Sequence, residues 1–245
     1  MDLKILGSSS SGNCYLLISE SEVLMIECGV RFGEVKKALD FNVSKITACL
    51  ITHEHKDHCK HVKDVLLAGI DVYASLGTIK AIGINHHRFS RAKHGEAFKA
   101  GSFKILPFDV QHDAAEPLGF LIFQPEMGNT LFLTDSYYVK FNFPGLNHLL
   151  VEANYSEEIL AENVESGRTN PFVAKRVESS HMSKETLIQM LQANDLRQVQ
   201  NIVLLHLSDS NSNASQFQSE VQKLTRINTV IADKNITIPL NRYPF

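Results

Sequence analysis

No long apolar run, no C-x-x-C pair and little net charge occur in these 245 residues. No uninterrupted apolar stretch approaches the ~20 residues that a membrane-crossing helix needs, so no such span is expected. The four cysteines, Cys14, Cys28, Cys49 and Cys59, lack metal-ribbon or redox spacing. In a chain of this length they read as reduced, mostly buried thiols. A formal net charge of -3 gives no global attraction to polyanions, although the field over a local groove is what matters for binding. Linkers, internal repeats and low-complexity segments are also missing, since "SSSS" at 8–11 is too short to count. The opening "MDLKILGSSSSGNCYLL" is too polar and too broken for a signal peptide, and the cytoplasm is the expected compartment.

What is present is ordinary globular composition, 44% apolar and 21% charged, enough for a sizeable core. Short apolar runs separated by Gly and Ser punctuation predict strands at 3–6, 13–19, 22–28, 46–52, 72–75, 102–110, 118–124, 130–135, 148–154 and 201–206. "SESE" at 19–22 reads as a hairpin turn, and Gly128-Asn129 as the turn before the strand at 130. Helical stripes run through Phe32, Val35 and Leu39, through Val62, Val65 and Leu66, and through Phe217, Val221 and Leu224. Ser183 caps a helix that turns Leu187, Met190 and Leu191 inward. Terminal strands are expected near Val230 and Ile236. Strands interleaved with helices predict an α/β protein, one domain over 1–245 with two sheets covered by helices.

The chemistry concentrates in "ITHEHKDH", 51–58. A helical zincin would need a second histidine four residues after His53, where Asp57 stands instead. The remaining pattern is H-x-H-x-D-H at the carboxyl end of a buried strand. His53 and His55, two apart in an extended segment, project to the same side. Asp57 and His58 open the next helix and reach a second point nearby, an arrangement that suits two metals. His112 in "VQHDA", Asp135 in "FLTDS" and His206 in "VLLHLS" each end a predicted strand. Each alone is weak, but together they gather ligand-type residues where strands end.

These motifs, in this order, resemble the metallo-β-lactamase-fold hydrolases over essentially the whole chain. "GSSSSGNCYLL", "HDAAEPLGF", "SSHMS" and "LLHLS" resemble more narrowly the YycJ/WalJ exonuclease branch, related to RNase Z-type phosphodiesterases. The resemblance implies a four-layer αββα sandwich and two divalent metal ions, with zinc favoured and manganese or iron also suited to mixed nitrogen and oxygen ligands. It implies that His53, His55 and His112 hold one metal, that Asp57, His58 and His206 hold the second, and that Asp135 bridges them. His181 would lie near the substrate, supported by Glu152. Glu27 stands where family members usually carry the aspartate that buttresses the metal loop.

The expected function is a binuclear metal-dependent phosphodiesterase acting on nucleic acid, DNA favoured, with Asp57, His181 and Glu152 catalytic. The alternative is a small-molecule hydrolase of thioesters, lactones or cyclic nucleotides using the same metals. Arg168, Lys175 and Arg176, or Arg88, Arg91 and Lys93, are basic clusters that could meet phosphates or be solvated faces. No function is assigned to His61, His94, His148 or the cysteines.

Overall fold

Apolar runs bounded by turn residues become strands in the computed structural model, which describes residues 1–243. In chain order the strands are β1 (Asp2–Gly7), β2 (Cys14–Ile18), β3 (Val23–Ile26), β4 (Ile46–Leu50), β5 (Val72–Ala74), β6 (Phe89–Arg91), β7 (Phe98–Ala100), β8 (Phe103–Asp109), β9 (Leu118–Gln124), β10 (Gly128–Leu133), β11 (Leu146–Glu152), β12 (Asn201–Leu205), β13 (Asn228–Ile231) and β14 (Thr237–Pro239). The helices are α1 (Phe32–Ala38), α2 (Lys56–Cys59), α3 (Val62–Leu67), α4 (Leu76–Ile82), α5 (Glu157–Glu165), α6 (Pro171–Ser180), α7 (Lys184–Ala193) and α8 (Ala214–Thr225). The strands fall into two sheets of seven. The chain divides into two compact units, one of Met1–Asp109, Ala114–Gly128 and the segment from Ala232, the other of Val110–Asp113 and Asn129–Ile231.

In the first unit one sheet runs β14-β1-β2-β3-β4-β5-β6. Strands β14, β1, β2 and β3 pair antiparallel, and β3, β4, β5 and β6 pair parallel. The hairpin between β2 and β3 closes with Ser19 N–H donating to the Glu22 carbonyl at 2.9 Å, as "SESE" predicts. Strand β4 is almost wholly buried, because a strand with parallel neighbours is covered on both faces. Its register sets Met25 opposite Cys49 and Ile26 opposite Leu50, so the residues leaving β3 and β4 emerge side by side. Helices α1 and α3 put Phe32, Val35, Val62, Val65 and Leu66 into the core against this sheet. The unit also holds β8, paired antiparallel with both β7 and β9.

The second unit carries the parallel strands β10, β11, β12 and β13. Every residue of β11 and β12 is buried. Register places Leu133 opposite Val151 and Glu152 opposite Leu205, which aligns the carboxyl ends of three strands along one edge. Ser183 caps α7 as expected, its hydroxyl accepting from Thr186 N–H, and Leu187, Met190 and Leu191 are buried.

Three local readings need correction. The turn before β10 is made by 125–127, and Gly128 and Asn129 are already strand residues. Gly128 has φ +74, a left-handed conformation that marks the strand entrance rather than a two-residue hairpin. His112, Asp135 and His206 lie past their strands, since β8, β10 and β12 end at Asp109, Leu133 and Leu205. Asp135 and His206 have φ +47 and +53, outside the extended region that a non-glycine strand residue occupies. Strands β6 and β7, three residues each, went unread because they are too short and too polar to show alternation.

Candidate metal centre

In the first unit, the residues following β4 fold back over the ends of β3 and β2. His53 packs against His55 with ring centroids 4.6 Å apart and against His58 at 4.1 Å. Asp57 and His58 lie on the single turn of α2, His58 Nε2 3.2 Å from Asp57 Oδ2. Two polar supports hold this cluster. Glu27, fully buried at the end of β3 with φ +63, accepts from Thr52 Oγ1 at 2.6 Å and lies 3.4 Å from His58 Nδ1. Thr52 Oγ1 then meets His53 Nδ1 at 2.9 Å. With the hydroxyl proton given to Glu27, the Thr52 oxygen accepts from Nδ1–H and leaves the lone pair of His53 on Nε2. Glu27 therefore reaches the loop through both Thr52 and His58.

The second support is Asn13, fully buried, whose amide nitrogen lies 3.3 Å from Asp57 Oδ2 and 3.2 Å from His58 Nε2. Backbone bonds tie the same segments, Asn13 N–H to the Asp57 carbonyl at 2.7 Å and Cys28 N–H to the His58 carbonyl at 2.7 Å. Gly29 sits so close that a Cβ there would lie 1.6 Å from the Asp57 carbonyl oxygen, which only glycine permits.

In the second unit Asp135, Glu152, His181 and His206 offer ligand atoms all within 4.8 Å of one another. Glu152, the last residue of β11, is fully buried. Its Oε1 is 2.7 Å from His181 Nδ1, and its Oε2 accepts from Ser136 N–H at 3.0 Å and Met182 N–H at 3.1 Å. The His181 ring stacks on that of His206, centroids 5.5 Å apart, and lies at the same distance from His112. His112 Nδ1 donates to the Ser180 carbonyl at 2.8 Å, which leaves its lone pair on Nε2, 3.7 Å from Asp135 Oδ2. Asn154 donates to the His206 carbonyl at 2.8 Å and fixes that left-handed residue.

Burial and charge pull against each other here. Burial alone would lower His181, yet the Glu152 carboxylate outweighs it and holds the imidazole above its ordinary value. Burial likewise pushes Glu152 up, and His181 brings it net below the usual carboxylate range. His112 is lowered chiefly by burial, and Glu27 is raised by it. All four cysteines are free and buried. Burial raises the Cys14 and Cys28 thiols well above normal and Cys59 to about 11, so these three are poor nucleophiles.

The residues singled out by sequence thus form two groups, His53, His55, Asp57 and His58 in one unit and His112, Asp135, Glu152, His181 and His206 in the other. Sequence reading missed Asn13 and Thr52; Asn13 stands in the quoted "SSSSGN", but nothing local marks it as a support. Of the basic residues, Arg176 is bound to Asp113 at 3.1 Å and Arg88 to Asp71 at 2.9 Å, and Lys93 pairs with Glu96. Among the described residues no helix is long and apolar enough to cross a membrane. The donor set is what a divalent transition metal takes: imidazoles, with the tautomers of His53 and His112 fixed by hydrogen bonds, beside the carboxylates of Asp57 and the buried Asp135. The residues fit such ions.

Comparison with known proteins agrees. Exodeoxyribonuclease WalJ of Streptococcus pneumoniae serotype 2 (strain D39 / NCTC 7466) is 28% identical over 256 aligned residues, covering 98% of this chain and 92% of the relative. Exodeoxyribonuclease YycJ of Bacillus anthracis is 27% identical over 229 residues, 86% of this chain and 84% of the relative. Among solved structures, the metallo-beta-lactamase fold protein YhfI from Bacillus subtilis superposes with a TM-score of 0.73 at 15% identity, over 97% of this chain and 99% of that one. That likeness bears out the expected αββα fold class, and the two named relatives bear out the narrower resemblance. Residues 25–207 match the model of the beta-lactamase superfamily domain. This span runs from β3 through His206 and takes in every candidate ligand; the chain belongs to the beta-lactamase superfamily and is a metal-dependent hydrolase.

Proposed function

We propose that the two groups are halves of one binuclear centre and that the enzyme is a phosphodiesterase acting on nucleic acid, with DNA as the favoured substrate. His53, His55 and His112 would hold one divalent cation, Asp57, His58 and His206 the other, with Asp135 shared. Zinc is the favoured ion, and manganese and iron suit the same donors. The chemistry such ions supply when bound is activation of water near neutral pH and neutralisation of phosphoryl charge.

The protein's own residues do the rest. Asp57 takes the proton of the attacking water. His181, its Nδ1 engaged by Glu152, turns Nε2 toward the departing oxygen and donates a hydrogen bond or proton to it. The observation that carries this reading is the 2.7 Å contact between His181 and the fully buried Glu152. An alkoxide leaving a phosphodiester is a poor leaving group and needs such a donor, whereas a thioester or lactone needs it less. Similarity to two exodeoxyribonucleases supports DNA as the substrate. The test is incubation of the manganese-loaded protein with a 5′-labelled linear duplex. Progressive shortening is expected; no degradation with manganese, zinc or iron in a sample shown to be metal-loaded would overturn the reading.

A further inference from the structure

A cavity of about 350 Å³ opens in the second unit, walled by segment 138–142 on one side and residues between Met182 and Asn194 on the other. Both walls start at the carboxylate–histidine pair. Ser136 and Met182 hang by their N–H groups from the same Glu152 oxygen, and Tyr138 follows Ser136 by two residues. Met182, which lines the cavity, directly follows His181 and is bonded to Glu152, so this end of the cavity wall is tied to the Glu152–His181 pair.

Its walls are held in shape by the protein alone. Ser136 Oγ donates to the Tyr138 carbonyl at 2.8 Å, and Val139 is buried beneath. Phe143 N–H donates to Asn194 Oδ1 at 2.9 Å, while Asn194 Nδ2 donates to the Met190 carbonyl at 2.8 Å. The buried Phe143 ring braces Phe141 edge-on at 6.5 Å. Tyr138, 51% exposed, lines this frame together with the exposed Gln189 and Lys140.

Flat aromatic surface, carboxamides and a cation are the groups that recognise a heteroaromatic base with its phosphate: the face stacks, the edge hydrogen-bonds and the backbone charge is met. An aliphatic ligand would desolvate the carboxamide without pairing it. We propose that this cavity is a nucleobase subsite that seats the base beside the scissile phosphodiester, with Tyr138 stacking on it, Gln189 reading its edge and Lys140 meeting the adjoining phosphate. The proposal rests on the phosphodiesterase reading and adds to it a residue that sets specificity.

The test uses two labelled DNA strands of one sequence, one with ordinary terminal nucleotides and one with tetrahydrofuran abasic residues at both ends. Binding is read by fluorescence anisotropy and cleavage by kcat/KM on the full-length manganese-loaded protein. The wild type should favour the base-bearing end by about 5- to 150-fold, the range expected for one stacked base. Tyr138→Ala should reduce that ratio to near one, and Tyr138→Phe, which keeps the ring, should restore it. A wild type that treats the two ends alike, or a Tyr138→Ala protein that keeps the preference, would overturn the subsite. Discrimination in binding with no cleavage of either strand would uphold the subsite and remove the phosphodiesterase reading. Cleavage without discrimination would do the reverse.

Discussion

Glu152→Gln isolates the charge of the buried carboxylate from its shape. Glu152 makes four contacts, with His181 at 2.7 Å, with two backbone N–H groups, and with His206 Nδ1 at 3.5 Å. An alanine there would leave Ser136 and Met182 N–H groups unpaired, at about 1–3 kcal/mol each, a serious fraction of a typical stability of about 5–15 kcal/mol. Glutamine keeps one oxygen for both backbone donors and turns its NH₂ toward His181. The imidazole Nδ1 must then accept, so its proton moves to Nε2 and the ring is held neutral. Loss of a hydrogen bond to a charged partner removes about 1.5–3 kcal/mol from the imidazolium, while the burial that lowers it persists. His181 should therefore titrate below its ordinary value in the variant and above it in the metal-free wild type, which histidine C2–H NMR resolves. If His181 gives its proton to the leaving oxygen as a general acid, kcat/KM on duplex DNA should fall about 10²–10⁴-fold with metal content unchanged. There is a stability signature as well. Glu152 is lowered, so its contribution is present above 4.5 and lost as pH falls through its folded value; His181 is raised, so its contribution is present below 6.5 and lost as pH rises through its folded value. Metal-free wild type should gain most from the pair between pH 4.5 and 6.5, a gain the variant lacks in Tm measured against pH. Near-normal activity in the variant would refute proton donation and leave His181 as a neutral hydrogen-bond donor, and loss of bound metal with activity would refute both.

Two further substitutions probe the cluster around His53 and His58 in the first unit. Glu27→Asp shortens the support by one carbon–carbon bond, about 1.5 Å, and draws it away from Thr52 and His58; metal affinity in a chelator competition should weaken about 10–100-fold, and unchanged affinity would show that the longer side chain is incidental. Gly29→Ala would force a methyl into the Asp57 carbonyl, so a cost of about 1–3 kcal/mol in urea unfolding is expected together with weaker metal binding; a variant as stable as wild type would contradict the close approach.

Much of the candidate site was legible because four of its ligand-type residues fall within six positions. His53, His55, Asp57 and His58 needed no long-range pairing to be seen, only the knowledge that a buried strand ends before them. The Glu152–His181 contact spans 29 positions and could be named only through family resemblance, since nothing local says that a carboxylate at the end of β11 meets a histidine capping α6. Asn13 was invisible for the same reason: its role arises from 44 residues away, where α2 lies over its amide.

Alternation and periodicity, which depend on near neighbours, determined by themselves the class of fold, the hairpin at Ser19–Glu22, the cap at Ser183 and the apolar faces of α1, α3 and α7. Tertiary structure alone decided where β8, β10 and β12 stop, how Glu27, Asp135 and His206 came to hold left-handed backbone, and which carboxylate serves which imidazole. Such conformations cost about 1–3 kcal/mol each and persist only where surrounding packing and hydrogen bonds over-determine them. That compensation comes from residues distant in the chain, and no local pattern of side chains records it.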